Sequence, residues 1–285
     1  MHLFRRSQVL PGEEFAALRS RLHGRLHLPF EAGWDAARTP WQLAVDQRPV
    51  AVVEAADVVD ISLTVREARR LGLAVAPQAT GHGAGTLDAS GAVLVRTRGL
   101  DAVAVDPGPA VARVGSGATA GALAEAAQRH GLAAVLGMAP SVGVVGMTLG
   151  GGLGWFARSH GLAANSVTAI EGIDATGAAV RADASHHPDL FWAARGGVAP
   201  IIVTALEVSL HRIGDPFLRR GRGRPPDIPA RGRGSPGAAS SPEPGDGHHS
   251  PDGSGRSGTA SRRPSRSLPG DRILRAAQGD QPGGS

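Results

Sequence analysis

Nine residues, Pro77-Gln78-Ala79-Thr80-Gly81-His82-Gly83-Ala84-Gly85, set three glycines around a threonine hydroxyl and a histidine. Glycine at this density lets successive main-chain N–H groups turn toward one point, which makes a nest for phosphate oxygens. The histidine adds a ring nitrogen that is nucleophilic when neutral. A second run, Met138 to Gly154, holds six glycines among apolar residues between Gly143 and Gly154. That pattern suits main chain laid closely against a flat ligand. Either loop alone also reads as a set of tight turns. Both together, about 65 residues apart, point to a cofactor.

Other chemistries are excluded by what is missing. There is no cysteine, so no disulfide, thiolate metal site or thiol nucleophile exists. All 30 basic residues are arginine, so the Gly-Lys-Ser/Thr of a phosphate-binding P-loop is impossible. A Rossmann fingerprint needs its glycines between the first strand and the helix. Here that link is Glu54-Ala55-Ala56, and the glycines follow the second strand instead. His160, His186 and His187 show no metal-ligand spacing and read as loop or surface residues. Asp246-Gly247-His248-His249 reads as incidental.

The elements that must position these loops follow from periodicity. Val50–Glu54 predicts a strand. Asp57 is a good N-cap for a helix with Ile61, Val65 and Ala68 on one face and Gly72 past its end. Leu73–Pro77 completes a β-α-β unit. Short strands are expected at Ala92–Arg96, Ala102–Val105 and Ala110–Gly115, then a helix from about Thr119 to His130 stopped by Gly131. Ala133–Leu136 predicts a strand entering the second glycine run. Strands at Thr168–Ile173 and Ala178–Ala182, a helix at Asp189–Ala194 and a strand at Ile201–Leu210 complete a mixed α+β arrangement.

Composition divides the chain into a segment 1–34, a domain 35–212 and a tail 213–285. The tail is poor in large apolar residues and rich in Gly, Pro, Ser and Arg, which predicts disorder. It carries 12 Arg against 7 Asp and Glu, so the net charge of +5 resides there and the body is neutral. A neutral body does not suit a nucleic-acid surface. No run of about 18 apolar residues is present, and the start lacks the apolar stretch of a signal peptide. A cytoplasmic protein without membrane association is expected.

Four stretches together resemble the flavin-binding domain of the vanillyl-alcohol-oxidase family, the PCMH-type fold, in its berberine-bridge-enzyme-like branch. They are Gln78 to His82; Pro140-Ser141-Val142-Gly143 through Gly150–Gly154; His160-Gly161-Leu162-Ala163-Ala164-Asn165; and Asp189 to Gly197. The resemblance implies a two-subdomain α+β fold with a mixed sheet, holding FAD. It implies that Gln78, Ala79, Thr80, Gly81, Gly83 and Ala84 wrap the pyrophosphate. His82 stands where the family joins a histidine nitrogen to the flavin 8α carbon. Further cofactor contacts are implied at Pro140, Ser141, Val142, Gly143, Gly146, Met147 and Thr148. Gly150, Gly151, Gly152, Gly154, Asn165, Ile202 and Val203 complete the set.

The sequence also departs from the family. Ala139 stands where some members carry a second, cysteinyl tether, so a single histidyl link is the most that can form. The run Arg195–Thr204 is one residue short, and Pro200 replaces a flexible turn. No substrate domain is recognisable after residue 212, and the tail resembles GC-rich DNA read out of frame. The resemblance implies an FAD-dependent oxidoreductase acting on an alcohol, sugar or secondary metabolite. The alternative is an inactive FAD-binding fragment. A third reading, nucleic-acid binding through the Arg-Gly tail, is disfavoured because Phe217 is its only aromatic. The family often takes its base from the substrate domain, so no catalytic base is assigned.

Overall fold

Runs rich in Val, Ile and Ala build two larger sheets and one two-stranded pair in the computed structural model, which describes residues 12–86, 88–196 and 199–212. The strands are β1 (Arg25–His27), β2 (Ala51–Glu54), β3 (Ala74–Gln78), β4 (Ala92–Arg96), β5 (Val103–Asp106), β6 (Val111–Gly115), β7 (Leu132–Ala133), β8 (Val167–Asp174), β9 (Ala179–Asp183), β10 (Ile201–Ser209) and β11 (His211–Arg212).

The first sheet has the order β1-β2-β4-β3. Strands β2, β4 and β3 are parallel, and β1 pairs antiparallel with β2. The helix Val58–Arg70 starts at Asp57, whose carboxylate accepts the Asp60 N–H at 3.1 Å, and ends before Gly72 at φ +69°. It buries Ile61, Val65 and Ala68 against Val53, Val93 and Val95. The helix joins β2 to β3, yet β4 lies between them. Burial explains the order. All five residues of β4 are buried, as a central parallel strand requires, whereas β3 is mostly half-buried or exposed and takes an edge. Residues before Trp34 join this unit: Phe15, Leu18 and Leu26 are buried in its core.

The second sheet is antiparallel, in the order β5-β6-β10-β8-β9. Its inner face, with Ala112, Val114, Ile170, Leu206 and Val208, packs with Leu123, Ala127, Val144 and Phe191. Leu123 and Ala127 come from the helix Ala120–Gln128, capped by Thr119 and followed by Gly131 at φ +65°. The opposite face carries an ion network. Arg113 pairs with Glu171 at 2.6 Å, and Arg181 pairs with Glu207 at 2.6 Å and Glu171 at 3.4 Å. Strand β11 closes on β7.

One expectation changes: the strand expected at Ala133–Leu136 is only the pair Leu132–Ala133. Within the second glycine run, Val144–Leu149 forms a helix. Burying Val144, Val145 and Thr148 outweighs the low helical preference of Gly146. Among the described residues no helix is long and apolar enough to cross a membrane. The expectation of disorder for residues 213–285 falls outside the described residues.

Candidate functional site

The first loop leaves β3 at Gln78. Gly81 has φ +84°, and a Cβ there would lie 2.7 Å from Pro40 Cβ, so only glycine fits both the turn and the packing. The main chain of residues 40–42 is laced to it: Trp41 N–H donates to Thr80 O at 3.1 Å and Gln42 N–H to Gly81 O at 3.3 Å. This lacing sets the Trp41 ring on the His82 imidazole, with centroids 3.9 Å apart and planes 12° from parallel. The Thr80 hydroxyl lies 2.9 Å from His82 Nδ1, and Ser141 Oγ lies 3.5 Å from His82 Nε2. Gln78 donates to Gln47 Oε1 at 3.0 Å, while its own buried Oε1 has no partner among the described residues. Ala84 is buried, and its N–H donates to Gly81 O.

At Gly143 the second loop brings bare main chain up to the side chains of Ala79 and Thr80 on the first. A Cβ on Gly143 would sit 3.4 Å from Ala79 Cβ and 3.6 Å from Thr80 Oγ1. Main-chain bonds from Ala120 to Val142 O and from Gly121 to Pro140 O hold this segment against the start of the Ala120–Gln128 helix. Pro140 and Ser141 are exposed. Gly146 faces open space, where an added Cβ would meet nothing within 4 Å. Met147 Sδ accepts the Gly137 N–H at 3.0 Å. Thr148 is buried and lines a small internal cavity with Leu123, Ala134 and Val144.

A separate group forms around Ala163. Gly151 and Gly152 have φ +107° and +73°, and their carbonyls accept from Ala164 and Ala163. Gly154 packs so tightly on Leu136 that a Cβ would lie 1.7 Å from its carbonyl oxygen. Asn165 is exposed beside Gly161. The structure therefore brings residues 78–84 together with 140–143, and gathers Gly151, Gly152 and Asn165 around residues 161–164. Ile202 is buried with Ile173 in the first core, and Val203 is half-buried against the second. Gly197 lies outside the described residues.

Sequence reasoning missed Trp41 and Gln47, because both reach the loop only through tertiary contacts. It also missed Ser116 Oγ and Thr204 Oγ1, two buried hydroxyls without partners among the described residues, where β6 meets β10. Met138, Leu153, Trp155 and Leu162 are exposed apolar residues in the same stretch as the second loop. A nucleotide cofactor fits this donor set. The buried Gln78 Oε1 has no hydrogen-bond partner among the described residues, and Gly143 keeps the approach of the two loops free of a Cβ on its side.

Comparison with known proteins agrees. Residues 49–183 match the family described as FAD binding domain. The chain is 31% identical to (R)-6-hydroxynicotine oxidase of Paenarthrobacter nicotinovorans over 67% of its own length and 42% of that protein. Its fold is similar to wild-type BBE-like 1 of Physcomitrella patens, with TM-score 0.64 and 28% identity, covering 68% of this chain and 44% of that one. It is also similar to glucooligosaccharide oxidase of Acremonium strictum, described with a 6-S-cysteinyl, 8α-N1-histidyl FAD. That comparison gives TM-score 0.64 and 28% identity, over 69% of this chain and 42% of the other. The chain thus spans less than half the length of these relatives. Residues 49–183 thus match an FAD-binding domain, and the fold is that of the PCMH-type, berberine-bridge-enzyme-like flavoproteins.

Proposed function

We propose that the chain serves an FAD-dependent oxidoreductase acting on a small alcohol, sugar or secondary metabolite, with the flavin joined to His82. The observation that carries this reading is the setting of His82, stacked on Trp41 and hydrogen-bonded to Thr80 beside the seam of two glycine loops. Bound flavin supplies two-electron acceptance from a substrate carbon. The protein's own residues bind and orient. Main-chain N–H groups of the first loop address phosphate oxygens. Trp41 fixes the imidazole plane. The Thr80 hydroxyl either donates to Nδ1 or accepts from it, and so sets which ring nitrogen keeps its lone pair. With no cysteine in the chain, the cysteinyl half of the linkage named for the glucooligosaccharide oxidase has no counterpart here.

A second reading is an FAD-holding fragment without turnover. It is favoured by the exposure of Leu153 and Trp155, at 73% and 75%. The deciding experiment is acid precipitation of the purified chain. A yellow pellet is expected, colourless in His82→Ala. Folded protein that stays colourless in excess FAD would overturn both readings. A yellow pellet from a chain that turns over no alcohol or sugar selects the second.

A further inference from the structure

At the carboxyl ends of β2 and β4, a cleft of about 280 Å³ opens between Arg25, Glu54, Arg96 and Arg98, with Gly24 and Gly99 in its walls. The walls are main chain in close contact. A Cβ on Gly24 would lie 2.0 Å from Glu54 O, and one on Gly99 would lie 2.5 Å from Ala55 O. No residue of the two glycine loops lines it.

The charge in this cleft is unbalanced. Three arginines and one glutamate line it, and Glu54 is already engaged by His27 Nε2 at 2.9 Å. Arg96 is 2% exposed and forms no ion pair among the described residues. Its Nη1 donates to Ala37 O and Thr39 O at 3.2 Å each, and its buried Nε has no partner among the described residues. Burial, together with the Arg98 charge, pushes the Arg96 guanidinium down to about 10 against a smaller opposing effect of Glu54. A buried cation without a counter-charge is costly, and an anion entering from solvent relieves that cost.

We propose that this cleft binds the phosphoryl group of a small phosphorylated ligand through Arg25, Arg96 and Arg98. Guanidinium forks match tetrahedral oxyanions, and the surplus of two positive charges matches a phosphate dianion better than a carboxylate. The volume lies at the small end of ligand pockets, about 300–1,000 Å³, which suits a phosphomonoester and not a dinucleotide. The site is therefore distinct from the flavin cradle.

The test is calorimetric titration of the full chain, at constant ionic strength, with inorganic phosphate and separately with glycerol 3-phosphate. Saturable binding is expected. Arg98→Ala should weaken it about tenfold or more, since a charge-assisted hydrogen bond is lost from a surface position. Whichever probe binds tighter identifies the source of the phosphoryl group. Arg96→Met should abolish binding; because it also strips two carbonyls of their donor, the Arg25→Ala/Arg98→Ala double variant provides the same reading with the buried position intact. Flavin absorbance of these two surface variants should equal that of the parent, which separates this site from His82. Absence of saturation below about 10 mM for both probes would overturn the proposal. So would unchanged affinity in the double variant, or displacement of phosphate by FAD.

Discussion

Replacing Gly152 by alanine should destabilise the domain sharply, and the size of the loss follows from the geometry. Gly152 has φ +73°, and its added Cβ would stand 2.5 Å from Ala163 Cβ. The left-handed conformation costs a residue with a Cβ about 1–2 kcal/mol. The optimum carbon–carbon separation is about 3.5–4.0 Å, so the methyl overlaps by about 1 Å and the neighbours must move, at about 1–3 kcal/mol. The sum is about 2–5 kcal/mol. For a domain of this size each kcal/mol lowers Tm by about 2–4 °C, so a fall of about 4–20 °C is expected in thermal unfolding followed by circular dichroism. Gly143→Ala is the matched comparison. Its φ is −66° and the nearest atom to its Cβ is 3.4 Å away, so only the capping preference, about 1 kcal/mol, is lost. That methyl would instead intrude on the seam between the loops and lower flavin retention, read as the ratio of flavin to protein absorbance. A Gly152→Ala protein within about 1 kcal/mol of the parent would refute the conformational argument.

Asp60 is fully buried, and its carboxylate accepts the N–H groups of His23, Gly24 and Ala56 at 2.8, 2.9 and 2.9 Å. Asp60→Ala leaves three donors unsatisfied and should cost about 3–5 kcal/mol in urea unfolding. Glu171→Gln strands Arg113, whose side chain is 14% exposed, and should cost about 3 kcal/mol. Glu125→Gln, in an exposed pair with Arg129, should cost under about 1 kcal/mol, and equal losses for the two would contradict the burial argument. The His23–Asp57 contact at 2.6 Å ties the N-terminal segment to the helix Val58–Arg70. The Asp57 hydrogen bond raises His23 above 6.5. Although burial of Asp57 opposes it, the His23 bond and others hold Asp57 below 3.8. The contribution of His23 is complete below 6.5 and fades as pH rises through its raised value. That of Asp57 is complete above 3.8 and fades as pH falls through its lowered value. Amide exchange at residues 22–24 should therefore be slowest, after correction for intrinsic rates, between pH 3.8 and 6.5.

The helix beginning at Asp57, the stop at Gly72, strand β4 and the loop around His82 are all legible in the amino-acid sequence. Each depends on residues close together in the chain, where caps, periodicity and glycine torsions act. The family motif is legible for the same reason. Tertiary structure decided what depends on distant partners. It inserted β4 between β2 and β3, because only a central position buries all five of its residues. It coiled Val144–Leu149 into a helix, because the second core rewards burying three of its side chains. It laid Trp41 on His82 through main-chain bonds from residues 41 and 42 to Thr80 and Gly81. It also enclosed Arg96, with no ion pair among the described residues, at the end of an apolar strand. Sequence sets the local torsional and hydrophobic preferences; the choice among long-range partners is made by packing and by the low polarity of the interior, where charge and hydrogen-bond balance is counted over the whole fold.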